Sequence, residues 1–202
     1  MAQIHILKSD IKSIKLLNVK GGISIADIRR LHDPDHVMNG WLYDTATMQS
    51  ITYSKVDGVI SGAYFSKQGI AIDTDSRLSF TEFDTKQPNF IGGSPTLLLD
   101  GKQYIDYGMT KSDYLHKYKH RRAVLGYNRD KVILTVTDGL YTIPELIPAI
   151  QGIGYTTAIN LDGGGSCHLE SKNRIYYNTL RKNVSWILFY TYKICKECGR
   201  RY

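Results

Sequence analysis

The sequence predicts an α+β fold, with one compact domain, a mixed and largely antiparallel sheet, a βαβ-like crossover and few helices. Its 202 residues are 42% hydrophobic and 22% charged, which is a composition typical of a single globular core. Most of the chain consists of short runs rich in Ile, Val, Leu or Tyr, and Gly, Asp, Asn or Pro bounds each run. One well-capped helical pattern lies between two such runs near the end of the chain.

Ten strands are predicted, and turn residues separate them. Asp100-Gly101 and Asn128-Arg129-Asp130 have the composition of tight turns between paired strands. The predicted strands are Ile4–Leu7, Ile11–Val19, Val59–Ser66, Gly69–Asp73, Pro95–Leu99, Ala123–Tyr127, Lys131–Thr137, Thr156–Leu161, Arg174–Tyr177 and Val184–Tyr192.

Helical signals are fewer, and the strongest predict a helix over Ile143–Gln151. Thr142 and Glu145 have the spacing of a capping box, and Gly152 is a residue typical of a helix end. Two further helices are predicted at Ser24–Leu31 and Thr110–Tyr118.

The helix at Ile143–Gln151 connects the predicted strands Lys131–Thr137 and Thr156–Leu161. A strand, a helix and a second strand in succession are typical of a crossover that makes the two strands parallel. The carboxyl ends of both strands are then expected at the same edge of the sheet, where clefts of α/β folds lie.

We expect one domain over residues 1–192 and a basic tail over residues 193–202. The tail contains Cys195 and Cys198, but no second pair of ligands for a structural zinc site is present in the sequence. The amino terminus lacks the pattern of a signal peptide, and no apolar run reaches the ~20 residues of a membrane-spanning helix. The sequence therefore predicts a cytoplasmic protein that does not bind membranes, or one released from a cell or virus without such a signal.

The chain is basic, with a formal net charge of +7. A positive protein attracts anions such as phosphorylated sugars, nucleotides or nucleic acid. Much of the excess charge lies in Lys111–Arg122 and in Lys193–Arg201, and runs of this kind are more often solvated surfaces than binding sites.

The most informative segment is Asn160–Ser166, in which a predicted strand ends in Asp162 followed by Gly163, Gly164 and Gly165. Three successive glycines predict a sharp bend or a close approach to the backbone, and successive N–H groups in such a bend form a concave nest for anions. Beside a bound phosphate, Asp162 is useful as an acid, a base, a nucleophile or a metal ligand. Its alternative role is to cap the turn.

Asn160–Ser166 resembles the signature loop of the phosphodiester glycosidase family, although Cys167 stands where that family has a second serine. Other segments of the chain match the family more weakly, and they occur in the same order as in the family. The resemblance extends over roughly Asp35 to Tyr192. An arginine commonly follows the Asp138-Gly139 pair in the family, and this chain has Leu140 there. The matching blocks are Val37–Asp44, Ile91–Asp100, Arg121–Gly126, Val136–Gly139 and Arg181–Tyr190.

This resemblance implies a hydrolase that cuts the bond between the anomeric carbon of a sugar and a phosphate. Asp162 and Asp138 are the candidate catalytic carboxylates, and the roles of acid, base and nucleophile stay open between them. The predicted phosphate ligands are Gly163, Gly164, Gly165, Ser166 and one of Arg121 or Arg122. The predicted substrate-binding residues are Asn39, Gly40 and Asn160, with His168 secondary.

The expected ligand is a phosphorylated sugar or a nucleotide-like molecule, and no cofactor is required. A divalent cation that bridges Asp162 and a phosphate is an open alternative. The main rival function is a binding protein that sequesters such a ligand, although two carboxylates favour catalysis. Binding of single-stranded nucleic acid through Lys111–Arg122 ranks third, because the sequence contains no recognised nucleic-acid module.

Overall fold

The computed structural model describes residues 4–62, 66–84, 86–106, 117–129, 131–193 and 201. The predicted helix Thr110–Tyr118 falls mostly outside these ranges, as do Cys195, Cys198 and most of the basic stretch Lys111–Arg122. No helix within the described ranges is long and apolar enough to span a membrane.

The α+β prediction is confirmed, because strands dominate the described chain and two helices accompany them. The helices are α1 (Ile25–His32) and α2 (Ile143–Ile153). The strands are β1 (Ile4–Ser9), β2 (Ile11–Ile23), β3 (His36–Asn39), β4 (Tyr43–Asp44), β5 (Gln49–Ser50), β6 (Ser54–Val56), β7 (Val59–Ser61), β8 (Gln68–Ile72), β9 (Leu78–Glu82), β10 (Asn89–Gly92), β11 (Thr96–Leu99), β12 (Lys102–Asp106), β13 (Ala123–Asn128), β14 (Lys131–Thr137), β15 (Thr157–Asn160), β16 (Leu169–Ser171), β17 (Arg174–Tyr177) and β18 (Asn183–Thr191).

Both helices begin where the sequence predicts. The side chain of Ser24 accepts a hydrogen bond from the backbone N–H of Asp27, and Thr142 and Glu145 form the complete capping box. The end of α2 differs from the prediction, because the helix continues through Gly152. Gly154, with a φ of 92°, ends it in the left-handed conformation.

The strands form three larger sheets and one small pair. The first sheet has the order β1-β14-β13-β15-β11-β12, the second β17-β16-β3-β18-β2 and the third β7-β6-β10-β8-β9. The predicted crossover is present, but β13 lies between its two strands and pairs antiparallel with both. β14 and β15 therefore run in the same direction without being neighbours, and their carboxyl ends share one edge of the first sheet.

Alternating side chains divide the first and second sheets into two buried faces each. Leu125 in β13 and Ile187 in β18 belong to one core cluster, which also receives side chains from the third sheet. On the opposite face of the first sheet, Val124 packs in the cluster formed with α2. On the opposite face of the second sheet, Trp186 packs in the cluster that contains Ile28 of α1. The two helices thus cover the outer faces of two sheets whose inner faces share one core.

The position of β13 next to β15 in the first sheet can be tested by a substitution at Gly126, where the two strands pack closely. An added methyl group at Gly126 would lie 2.0 Å from the carbonyl oxygen of Thr157 and 2.9 Å from the Cα atom of Ala158. Because backbone atoms of a central strand cannot move aside, we expect Gly126→Ala to lower the free energy of unfolding by at least about 2 kcal/mol in urea titrations.

Gly152→Ala is the matched control, because Gly152 lies inside α2 and, apart from the adjacent backbone of the helix itself, no atom is within 4 Å of the added methyl group. Alanine is favoured over glycine in a helix interior by about 1 kcal/mol, so this variant is expected to be neutral or more stable. Equal destabilisation by the two substitutions would contradict the packing of β13 on β15.

Candidate functional site

The glycine loop, Asp162–Ser166, follows β15 at the edge where the two crossover strands end. The backbone N–H of Asp162 donates to the carbonyl oxygen of Gly40 at 3.1 Å, and the N–H of Gly164 donates to that of Arg121 at 2.9 Å. These hydrogen bonds fix the loop between the segment after β3 and the segment before β13. Gly164–Ser166 then forms a single 3₁₀ turn.

Each glycine of the loop has its own structural requirement. A methyl group at Gly163 would lie 2.6 Å from the carbonyl oxygen of Arg121, and Gly164 has a left-handed φ of 58°. A methyl group at Gly165 would lie 2.7 Å from Nη2 of Arg181, so the absence of a side chain there lets a guanidinium group rest on the loop.

The open anion nest predicted from the three glycines is largely closed by the protein itself. Gly163 donates its N–H to Oδ1 of Asp162 at 3.0 Å, Gly164 donates to Arg121, and Ser166 donates to the carbonyl oxygen of Gly163 at 3.2 Å. Gly165 is the loop glycine whose N–H has no partner among the described residues. Phosphate binding by all three glycines stays a prediction, and these hydrogen bonds support it only for Gly165.

A cavity of about 500 Å³ opens beside the glycine loop. Besides the loop, the segment after β3 and the segment before β13 contribute its wall. The residues that line this glycine-loop cavity are Leu42, Tyr43, Asp44, Thr45, Ile51, His120, Arg122, Asp162, Gly163, Gly164, Gly165, Ser166 and Arg181.

Asp162 is buried in this cavity, with 9% of its surface exposed. Burial disfavours the ionised carboxylate and raises its pKa to about 7. Hydrogen bonds from the Ser166 side chain and the Gly163 N–H, together with the positive charge of Arg181, lower the pKa and offset part of this effect. Asp162 therefore titrates near neutral pH, where a carboxyl group can both hold and release a proton.

Asp44 is a second carboxylate in the same cavity, and its surroundings have the opposite effect. Its Oδ1 atom accepts hydrogen bonds from the backbone N–H groups of Ala46 and Thr47, each at 2.8 Å. These bonds lower the pKa of Asp44, so it is ionised at neutral pH. The cavity thus contains one carboxyl group that is easily protonated and one that is held as a carboxylate.

Two arginines provide positive charge to the cavity in different ways. Arg122 is 1% exposed, and its guanidinium group donates to the carbonyl oxygens of Tyr141 at 2.9 Å and Tyr118 at 3.0 Å. Arg181 is exposed, and its guanidinium group has no hydrogen-bond partner among the described residues. Arg122 is therefore a fixed buried charge, whereas Arg181 can reach an anion that enters from solvent.

Comparisons with known proteins identify the family of the chain. The family model for phosphodiester glycosidases matches residues 35–189. The chain belongs to the phosphodiester glycosidase family. No curated protein sequence matches the chain.

Solved structures with the same fold include an enzyme of this family. The catalytic domain of zebrafish N-acetylglucosamine-1-phosphodiester alpha-N-acetylglucosaminidase, auto-inhibited by its pro-peptide, superposes with a TM-score of 0.73 and 17% identity, over 94% of this chain and 83% of that chain. A hypothetical protein from Synechocystis superposes with a TM-score of 0.71 and 11% identity, over 93% of this chain and 59% of that chain.

The predicted arginine pair is split between two surroundings. Arg122 lines the glycine-loop cavity, whereas the guanidinium group of Arg121 lies over the ring of Tyr177, 5.2 Å from its centroid. Neighbouring residues at the start of a strand point to opposite faces, which explains the split. Arg121 contributes its carbonyl oxygen to the glycine loop, and its predicted phosphate contact stays a prediction that the cavity does not support.

The predicted substrate-binding asparagines support the backbone of the site instead of lining the cavity. The Nδ2 atom of Asn39 donates to the carbonyl oxygen of Asp162 at 2.8 Å, and its Oδ1 atom accepts from the N–H of His168 at 2.9 Å. The Nδ2 atom of Asn160 donates to the carbonyl oxygen of Ser94 at 2.6 Å. Gly40 allows close contact with Ser185, whose carbonyl oxygen accepts the Gly40 N–H at 2.9 Å.

His168 is fully buried behind the loop. Its Nε2 atom lies 3.3 Å from Oε2 of Glu170, and its ring packs edge-on against Trp186. Asp138 is exposed after β14, and neither His168 nor Asp138 lines the glycine-loop cavity. The catalytic role of Asp138 therefore remains a prediction that the position of this residue does not favour.

Among the acidic, basic and histidine residues that line the cavity, the sequence did not predict Asp44, His120 or Arg181 as site residues. Asp44 and Arg181 lie within segments that match the family. A charged residue inside such a segment was the signal that could have identified them as site residues. His120 lies in a basic run that was interpreted as a solvated surface. Burial, and secondarily the charge of Arg122, lower the pKa of His120. No group of three or more His, Cys, Asp or Glu side chains that could hold a metal ion occurs among the described residues.

The raised pKa of Asp162 predicts a pH dependence of stability. Between about pH 4 and pH 7 the unfolded chain loses this proton while the folded chain keeps it, so the free energy of unfolding falls as pH rises through this window. At about 1.4 kcal/mol for each pKa unit, the loss reaches up to about 4 kcal/mol. In Asp162→Asn this contribution is absent, because the amide does not titrate.

Urea unfolding of the parent and of Asp162→Asn at pH 4.5, 6 and 7.5 measures the effect. The variant is expected to gain stability relative to the parent with each increase in pH. A stability difference that stays constant across the series would show that Asp162 ionises as an ordinary surface carboxylate.

Proposed function

We propose that this protein hydrolyses the glycosidic bond of a sugar-1-phosphodiester or of a sugar-linked nucleotide. The observation that carries the proposal is the joint presence, in one cavity, of the protonatable Asp162, the carboxylate Asp44 and the cation Arg181. Membership of the phosphodiester glycosidase family supports the same reaction class. The proposal requires no cofactor, and it places the protein in the cytoplasm with a small phosphorylated molecule as its ligand.

The phosphate is the first group that the proposed site has to bind. The planar guanidinium group of Arg181 lies against Gly165. The backbone N–H of Gly165 is therefore a second hydrogen-bond donor next to it. Arg122 adds a buried positive charge that is held by hydrogen bonds to the carbonyl oxygens of Tyr141 and Tyr118. A negative ligand next to these groups raises the pKa of Asp162 further, since a second negative charge disfavours the carboxylate.

In the proposed mechanism Asp162 acts in its protonated form. It donates a hydrogen bond to the bridging oxygen between the sugar and the phosphate, and its proton follows that oxygen as the glycosidic bond breaks. Asp44 remains ionised and stabilises the positive charge that develops at the anomeric carbon. A water molecule then bonds to the anomeric carbon, and the proton that it loses returns to the Asp162 carboxylate. This division of tasks follows from the opposite pKa shifts of the two carboxyl groups.

Turnover tests the proposal directly. The purified protein is incubated at pH 6.5 with a panel of sugar-1-phosphodiesters and sugar-linked nucleotides, and phosphorus NMR follows the release of the phosphate product. We expect kcat of Asp162→Asn to fall at least about 100-fold, which is the usual contribution of a general acid. For the parent, kcat/KM should decrease as pH rises through about 7, because the acid of the free enzyme loses its proton.

Asp57→Asn is the matched control, since Asp57 is an exposed turn residue with a φ of 48° that asparagine tolerates. A rate that increases as pH rises through 7 would contradict the acid role of Asp162. Tight binding without turnover by parent and variant alike would contradict the enzyme proposal and favour a sequestering protein.

A second prediction concerns the partner of Asp162. Asparagine at position 44 keeps an oxygen that accepts the Ala46 and Thr47 N–H groups, so Asp44→Asn removes the charge and preserves the turn. We expect this variant to lower kcat at least tenfold, and Asp138→Asn to lower it less, in the same phosphorus NMR assay. The reverse order would reinstate the carboxylate pair predicted from the sequence.

A further inference from the structure

A second and larger cavity, of about 880 Å³, lies far from the glycine loop. Its wall includes the start of β2, the turn between β8 and β9, and the hairpin between β13 and β14. We call this larger cavity the basic cavity. The glycine-loop cavity includes Arg122, immediately before β13, whereas the basic cavity includes Arg129, immediately after β13. The six residues of β13 separate the two by roughly 20 Å, so they are independent sites.

The basic cavity has an excess of positive side chains. Two of its five cations pair with its two carboxylates, Arg77 with Asp75 and Arg201 with Asp10, each pair at 3.3 Å. The other three cations have no acidic partner among the described residues. These are Lys12, Arg129 and Lys131, and all three are exposed.

The hairpin that presents Arg129 is held in an unusual conformation. Arg129 has a φ of 52°, in the left-handed region that arginine seldom adopts and that Asn or Gly favour in such hairpins. Next to it, the Nδ2 atom of Asn128 donates to the carbonyl oxygen of Gly154 at 2.6 Å, which fastens the hairpin to the end of α2. The chain thus keeps an arginine at a position where its backbone is strained, and backbone strain of this kind concentrates at binding sites.

The opposite wall is equally well fixed. Asp73 accepts hydrogen bonds from the N–H groups of Asp75 and Arg77 at 2.9 and 2.8 Å, which orders the turn between β8 and β9. The Oγ atom of Ser76 accepts the N–H of Ile14 at 2.9 Å and ties that turn to β2. The cavity is therefore preformed on both sides of Lys12.

We propose that the basic cavity binds a small polyphosphate anion. Its volume falls in the range of about 300–1,000 Å³ that is typical of small-molecule sites, so a compact ligand fits better than a nucleic-acid strand. Three cations without acidic partners match a chain of phosphate groups better than a single phosphate. The phosphate chain comes either from inorganic polyphosphate or from a nucleoside triphosphate.

Calorimetric titration with inorganic tripolyphosphate and, separately, with ATP tests the proposal at 150 mM salt. The test variant combines Lys12→Ala, Arg129→Asn and Lys131→Ala, and asparagine suits the left-handed backbone at position 129. We expect the affinity for tripolyphosphate to fall at least tenfold. Equal affinities of the parent for the two anions identify the phosphate chain as the ligand, whereas tighter binding of ATP adds recognition of the nucleoside.

A control variant combines Lys15→Ala, Lys20→Ala and Lys102→Ala, which removes the same charge from exposed positions outside the cavity. Its affinity is expected to stay within twofold of the parent. In Arg181→Ala the binding is expected to persist, because Arg181 belongs to the glycine-loop cavity. No binding by the parent, or an equal loss in both triple variants, would overturn the proposal.

Discussion

The side-chain amide of Asn39 joins two sheets at the point where the glycine loop begins, and the geometry of the site depends on it. It donates a hydrogen bond to the backbone of Asp162, which follows β15 of the first sheet. It accepts one from the backbone of His168, which precedes β16 of the second sheet. A buried amide left without such partners costs about 1–3 kcal/mol, so the two backbone segments are strongly held together. This connection fixes the position of the Asp162 side chain, because the backbone carbonyl oxygen of Asp162 accepts one of the two hydrogen bonds of the Asn39 amide.

A carboxyl group and an arginine are both buried beside the loop because each has its own hydrogen-bond partners. Arg122 satisfies its guanidinium group with backbone carbonyl oxygens, so it is not neutralised by Asp162. Asp162 in turn is hydrogen-bonded by Gly163 and Ser166 and remains protonatable near neutral pH. A direct ion pair between the two would lower the pKa of the carboxyl group and remove the acid. The backbone carbonyls therefore keep the two functional groups chemically separate.

The fold was largely predictable from local signals, whereas the detailed composition of the site was not. Capping residues at Ser24 and Thr142 fixed the helix starts, because caps depend on nearby sequence. The position of β13 between the crossover strands depends on pairing between distant segments, which periodicity does not reveal. Asp162 was identified through its unusual glycine sequence. Asp138, in contrast, follows a strand that ends at the correct edge but points outside the cavity, and Asp44 comes from a turn far along the chain.

In the proposed mechanism, the residues that react differ in their contacts from those that hold the site. Asn39, Asn160 and Gly40 direct their contacts to backbone atoms, and these contacts do not depend on the charge of a ligand. Asp162, together with Arg181, instead faces the cavity, where the free energy of ionisation depends on what is bound. In the proposed mechanism, a phosphate that enters meets the positive charge of Arg181 and simultaneously favours the protonated form of Asp162. Binding of the anion and readiness of the acid are therefore coupled through the electrostatics of one glycine loop.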